Sequence, residues 1–204
     1  MKLKVFGSVD TFLPGNAGNG LRDDAQAAAN QLGGAGYAVT GTVETRAAIG
    51  GRLGVALPVN SALDLGFSAG YIAGPNSDAT LVARSGLLSA TLSDQREIHF
   101  FRFLLEPRLN VPLGEKSAFH LGGGLGVAQG SVDETFTCAG NACLIASQEK
   151  SSTWSGFTWE VSPSVTMGHG VLGIRYAGFP KFNGNANNSK IEWSTIGFFG
   201  GFEF

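Results

Sequence analysis

Hydrophobic and polar positions alternate along this chain with a period of two, the signature of half-buried strands, and they do so over unusually long stretches. From Tyr37 to Leu57 the odd positions read Tyr, Val, Gly, Val, Thr, Ala, Ile, Gly, Leu, Val, Leu, against even positions that include Thr40, Thr42, Glu44, Arg46 and Arg52. From Thr153 to Met167 the odd face holds Phe157, Trp159, Val161 and Val165, opposite Thr158, Glu160, Ser162 and Ser164. From Leu63 to Ala73, Leu65, Phe67 and Tyr71 alternate with Asp64, Gly66, Ser68 and Gly70. The last fourteen residues, Ile191 to Phe204, put Ile196, Phe198, Gly200, Phe202 and Phe204 on one face. Four further strands fit at 3–13, 98–111, 118–131 and 171–179, which makes eight.

The connections alternate in length. Short ones fall at Pro58–Ala62, Pro112–Ser117 and Gly168–Gly170, and long ones at 14–36, 74–96, 132–152 and 180–190. Within the first long connection, Leu21–Leu32 (LRDDAQAAANQL) is rich in helix formers between glycines and predicts a short helix. The second is apolar over Thr80–Leu92. It reads either as strands three and four continuing in a hairpin around Arg84–Gly86, or as a lip that guides a hydrophobic ligand or touches lipopolysaccharide.

Composition narrows the class. The 204 residues form one domain, 1–204, and no linker divides them. Only 15% are charged, 31 are glycine and the net charge is −2, well below the ~25% charge of an ordinary soluble domain. A nucleic-acid partner would need a basic face, so none is expected. No run approaches the ~18 apolar residues of a spanning helix, which a transmembrane barrel does not need. The opening MKLKVFGSVD lacks a signal-peptide apolar core and is read as mature sequence behind an added initiator Met.

An even strand number, short turns on one side, long loops on the other and a bare C-terminal aromatic resemble the small eight-stranded outer-membrane barrels of the OmpA/OmpX type, over essentially the whole chain. The resemblance implies an all-β, eight-stranded antiparallel up-and-down transmembrane barrel in a bacterial outer membrane. It implies short periplasmic turns, long extracellular loops and a short helix in the first loop. It makes Phe204, with Phe202, the signal read by the outer-membrane assembly machinery, and it implies contacts with outer-membrane lipids, lipopolysaccharide and a surface or cell-envelope protein partner.

In lipid the apolar face must point outward, because the bilayer offers backbone and charge no water. Parity then sends Lys4, Arg46, Arg52, Arg102, Arg108 and Arg175 inward, with Asp10, Glu44, Asp64, Glu106, Glu160 and Glu203. Six charges of each sign in a lumen only wide enough for side chains predict an ion-pair network that plugs it, with Glu44, Arg46, Arg52, Arg102, Glu106, Arg108, Glu160 and Arg175 as its members. Inward Gly66, Gly70, Gly122, Gly124 and Gly126 make room for those long side chains, or else hollow out a channel. Tyr37, Tyr71, Phe119, Phe157, Trp159, Tyr176 and Phe202 point outward. Cys138 and Cys143, in CAGNAC, predict a loop disulfide; a metal pair is the rival, with no His nearby.

Catalytic chemistry is sparse. His99 is the histidine best placed for work at an outer leaflet, with Ser155 a distant partner, while His120 and His169 belong to the short-turn side. HLGGGLG at 120–126 reads as a strand, since no helix or Lys follows it. No enzyme, cofactor or metal is expected. The function this supports is a plugged structural or surface-interaction barrel. The alternative is a narrow conduit for small hydrophobic molecules, resembling the OmpW type.

Overall fold

A computed structural model describes residues 3–144, 146–180, 182–183, 190–191 and 193–204. In chain order the elements are β1 (Lys4–Phe12), α1 (Asn19–Gly34), β2 (Ala38–Thr45), β3 (Ala48–Pro58), β4 (Leu63–Ala73), β5 (Ser77–Ser85) and β6 (Leu88–Gly114). They continue with β7 (Ser117–Ala139), β8 (Gln148–Met167), β9 (Gly170–Gly178), β10 (Phe182–Asn183), β11 (Lys190–Ile191) and β12 (Ser194–Glu203). Every strand pairing is antiparallel, and eight strands close a ring in the order β1, β3, β4, β6, β7, β8, β9, β12 and back to β1. The seam closes with Val9 opposite Gly200. A closed ring leaves no sheet edge and satisfies its backbone internally, which is what a lipid-exposed sheet requires.

Two expectations about the long connections are corrected. The alternating run 37–57 is two strands, not one: it breaks after Thr45, and β2 leaves the ring to pair with β5. A matching break at Gly74–Pro75 separates β4 from β5. Gly74 adopts a φ of 94°, and a Cβ there would lie 3.0 Å from Ala48 Cα, so the bend needs glycine. The alternation keeps its phase through Arg46–Ala47, which is why the pattern hides the break.

The second correction is that much of the expected loop length is sheet. β6 starts at Leu88, β7 runs to Ala139 and β8 begins at Gln148, each well past the strand ends expected at 98, 131 and 153. β2, β5 and the outer parts of β6, β7 and β8 therefore form a five-stranded sheet rising beyond the ring on the long-connection side. The 74–96 connection is the hairpin reading: it turns at Gly86, with a φ of 59°. The helix forms where it was expected and packs on this projecting sheet, burying Leu21 and Ala25 against Ala79 and Leu81. Residues 180–190 fall largely outside the described residues.

Candidate functional site

The outside of the ring is a continuous apolar belt. Val5, Val9, Leu53, Val55, Leu65, Phe67, Phe103, Leu105, Leu125, Val127, Phe157, Val161, Leu172, Ile174, Ile196 and Phe198 are all exposed, and together they come from all eight ring strands. Monomeric soluble proteins rarely expose contiguous apolar patches beyond a few hundred Å². Towards the projecting sheet the belt stops abruptly, since Gln95, Glu97 and Gln129 replace the apolar residues of β6 and β7 on the same face. Tyr71 and Phe101 pack together at that rim, their ring centroids 4.9 Å apart.

The inside of the ring is charged and filled. Glu160 is the hub: Arg52 Nη1 donates to its Oε1 at 2.8 Å, Arg102 Nη1 to its Oε2 at 2.7 Å, and Arg175 Nε lies 3.5 Å from Oε2. Arg52 also donates to Glu106 at 2.9 Å, and Ser68 Oγ donates to the same Glu106 carboxylate. Asp10 stands 2.9 Å from Arg175 and 3.8 Å from Arg102. Three arginines thus meet three acids, with Arg102 and Arg175 each 1% exposed. A second tier closes the short-turn end, where Lys4 Nζ donates to Asp64 at 2.8 Å and Arg108 donates to Glu203.

Small residues make this packing fit. A Cβ on Gly124 would lie 2.8 Å from Glu160 Cγ, and one on Gly122 would lie 2.8 Å from Ser162 Oγ. Between the tiers, a cavity of about 20 Å³ bounded by Phe6, Arg52, Glu106 and Arg108 leaves room for about one water molecule.

Glu44 and Arg46, expected among these groups, lie elsewhere. Glu44 lies near the end of β2 and Arg46 just past it, outside the ring, where Glu44 faces Asp78 across the β2–β5 ladder and Arg46 pairs with Asp78 at 3.0 Å. The Arg46 side chain is 69% exposed. Parity misplaced them because it carried the lumen face through the β2–β3 break.

Sequence reading also missed an aromatic layer. Phe12, Phe100, Phe179 and Trp193 are buried at the sheet-side mouth of the lumen, with Trp154 packed against them. Phe179 stacks on Trp193 at 4.3 Å between centroids, while Phe12 and Phe100 meet them edge-on at 5.0–6.0 Å. Arg102 lies 5.5 Å from the Phe12 ring centroid, so the layer rests on the ion network as a cation–π contact. The missed signal is parity itself, since Phe12 shares the face of Asp10, and Phe100 that of Arg102.

On the projecting sheet, Cys138 and Cys143 are disulfide-bonded. The ring they close holds Asn141, whose side chain accepts from Ser89 N at 2.8 Å and donates to Leu87 O at 2.9 Å. His99 stands at the belt rim, 3.2 Å from Tyr71 Oη and 3.8 Å from Glu97. Ser155 is on β8, opposite Gln129 and separated from His99 by β7. His120 is held between Asn110 at 2.6 Å and Thr166 at 2.7 Å. His169 stacks on Phe204 at 4.6 Å, and Phe204 pairs through its backbone with Val5.

No protein-family model matches the chain, and no curated protein matches it. Among solved structures it is similar to Ail, the attachment invasion locus protein of Yersinia pestis, crystallised in complex with the heparin analogue sucrose octasulfate, at 11% identity over 100% of both chains with a TM-score of 0.48. It is similar to the outer membrane protein OprG of Pseudomonas aeruginosa at 13% identity, over 99% of this chain and 95% of that one, with a TM-score of 0.38. The N-terminal β-barrel domain of Pseudomonas aeruginosa OprF matches at 9% identity over 98% and 97%, with a TM-score of 0.37. At these low identities and scores, the barrel stands on the chain's own strand register.

Proposed function

We propose that this chain is a bacterial outer-membrane barrel acting as a plugged anchor, which holds a sheet outside the cell for contacts at the surface. The observation that supports this most is one arrangement: a filled lumen inside a lipid-facing belt, continuous with a sheet that rises past the belt. A filled lumen offers no through-path and suits a stable base. In the projecting sheet β2 pairs only with β5 among the described residues. Its other edge is a row of backbone donors and acceptors on which another chain can add a strand. Outer-membrane lipid and lipopolysaccharide would surround the belt, and the assembly machinery would read Phe204 with Phe202.

The conduit reading finds less support. The glycines that motivated it are matched by neighbours, Gly124 by Glu160 and Gly122 by Ser162. The orientation is tested by single cysteines in a background lacking Cys138 and Cys143. Leu87→Cys, at the sheet tip, is expected to react with an impermeant maleimide on intact cells, and Ser61→Cys, in a short turn, only after lysis. The reverse pattern, or recovery of the chain in the soluble fraction, would overturn the proposal.

A further inference from the structure

Beneath α1 the projecting sheet borders a half-open cavity of about 160 Å³. Its apolar lining comes from Leu21, Ala25 and Ala28 of the helix and from Leu81, Leu92 and Phe136 of the sheet. The space exists because α1 meets the sheet largely through alanines, with Leu21 the one large residue it buries. An apolar cavity of this size accommodates about one benzene ring.

One wall of the cavity is charged. Arg96 of β6 is held by Asp24 of α1 at 2.9 Å, by Asp94 at 3.2 Å and by Glu134 of β7 at 2.8 Å. Three carboxylates share one guanidinium, and Lys150 stands opposite Glu134 in the β7–β8 ladder. Which of these a ligand meets is decided by access. Asp24, Asp94 and Arg96 all line the cavity, yet the side chains of Asp24 and Asp94 are 17% and 19% exposed against 3% for Arg96. Two carboxylates and one guanidinium line the cavity, so its charged wall is net negative. Asp94 Oδ1 and Arg96 Nη1 are both buried without a hydrogen-bond partner among the described residues. Burial pushes the Asp94 carboxyl up to about 6 against the pull of Arg96, with Glu134 and Asp24 adding to the rise.

We infer that this cavity is a binding site for a small cationic amphiphile, a single aromatic ring carrying a short alkylammonium group. The ring fills the space between α1 and the sheet, and the ammonium takes the carboxylates of Asp24 and Asp94. An anion of the same shape meets like charge, which opposes its entry. The site is separate from the lumen and from the β2 edge, so its failure would leave the anchor reading in place.

The full chain in lipid nanodiscs is titrated with 4-fluorophenethylamine and, separately, with 4-fluorophenylacetate, each followed by fluorine NMR. The amine is expected to bind saturably and the acetate not to bind. Ala28→Leu, which fills the cavity with a good helix former, should abolish binding. Asp94→Asn should weaken it about tenfold, the loss of one close charge contact. Far-UV circular dichroism reports whether α1 survives Ala28→Leu. If it does not, Leu81→Phe fills the same space from the sheet. No saturable amine binding, equal binding of the acetate, or unchanged affinity in the cavity-filling variant that keeps α1 would each overturn the inference.

Discussion

Glu160 holds three guanidiniums, and its environment decides what its loss would do. Glu160→Gln keeps the shape and removes the charge, leaving Arg52, Arg102 and Arg175 with only Asp10 and Glu106. Removing one side of a buried pair costs about 3–5 kcal/mol. Urea unfolding in lipid vesicles should show a loss of that order, read by gel mobility with and without heating. Two glycines give a sharper contrast. Gly124→Ala drives a methyl to 2.8 Å from Glu160 Cγ, whereas at Gly51, on the outer face, the nearest atom to a new Cβ is Ser8 O at 3.8 Å. The first should cost about 1–3 kcal/mol and the second almost nothing in the same assay. A larger loss at Gly51 would mean that the lumen packing is misread. The charges are legible in sequence because a period of two fixes sidedness. The aromatics Phe12 and Phe100 share that parity, but an apolar residue on a polar face is easily read as noise.

At the scale of elements, what the alternation could not carry is where a strand changes partners. The run 37–57 is unbroken in pattern, and only tertiary pairing sends β2 to β5 and β3 to β1 and β4. The hairpin extensions of β6, β7 and β8 were hidden for a related reason, because outside the belt neither face needs to be apolar. The helix was legible from composition alone. Its docking should depend on pH through Asp94, whose carboxyl is raised from 3.8 to about 6. A raised carboxyl means that the docked state binds the proton more tightly, so its contribution to docking is full below about pH 4, falls as pH rises from there to about 6, and is gone above that. The charged groups acting on it are Arg96, Glu134 and Asp24. Hydrogen exchange of the α1 amides should therefore be more protected at pH 5 than at pH 8, and Asp94→Asn should remove most of that difference. The disulfide acts on another part of the sheet. Replacing Cys138 and Cys143 by serine frees Asn141 from Ser89 and Leu87 and should speed trypsin cleavage at Arg84. The stabilisation lost is at the low end of about 2–4 kcal/mol for so short a ring and is confined to the hairpin ends. Heat-modifiable migration of the barrel should not change.

For the whole molecule, the parts divide by solvent. In the proposed setting the apolar belt would face lipid and the projecting sheet with α1 would meet other molecules, while the ion network and aromatic layer fill the lumen. The eight-strand plan was legible because lipid outside and charge inside reverse the usual sidedness while keeping the period. What the sheet binds was not, because edge strands and small cavities leave no pattern in a single chain. Whether the lumen is closed is read directly from the ion conductance of the refolded chain in a planar bilayer. A plugged lumen should give no steady conductance for the parent, and openings only when the network is cut, as in Arg102→Ala. Steady conductance by the parent, with Arg102→Ala altering only its ion selectivity, would contradict it.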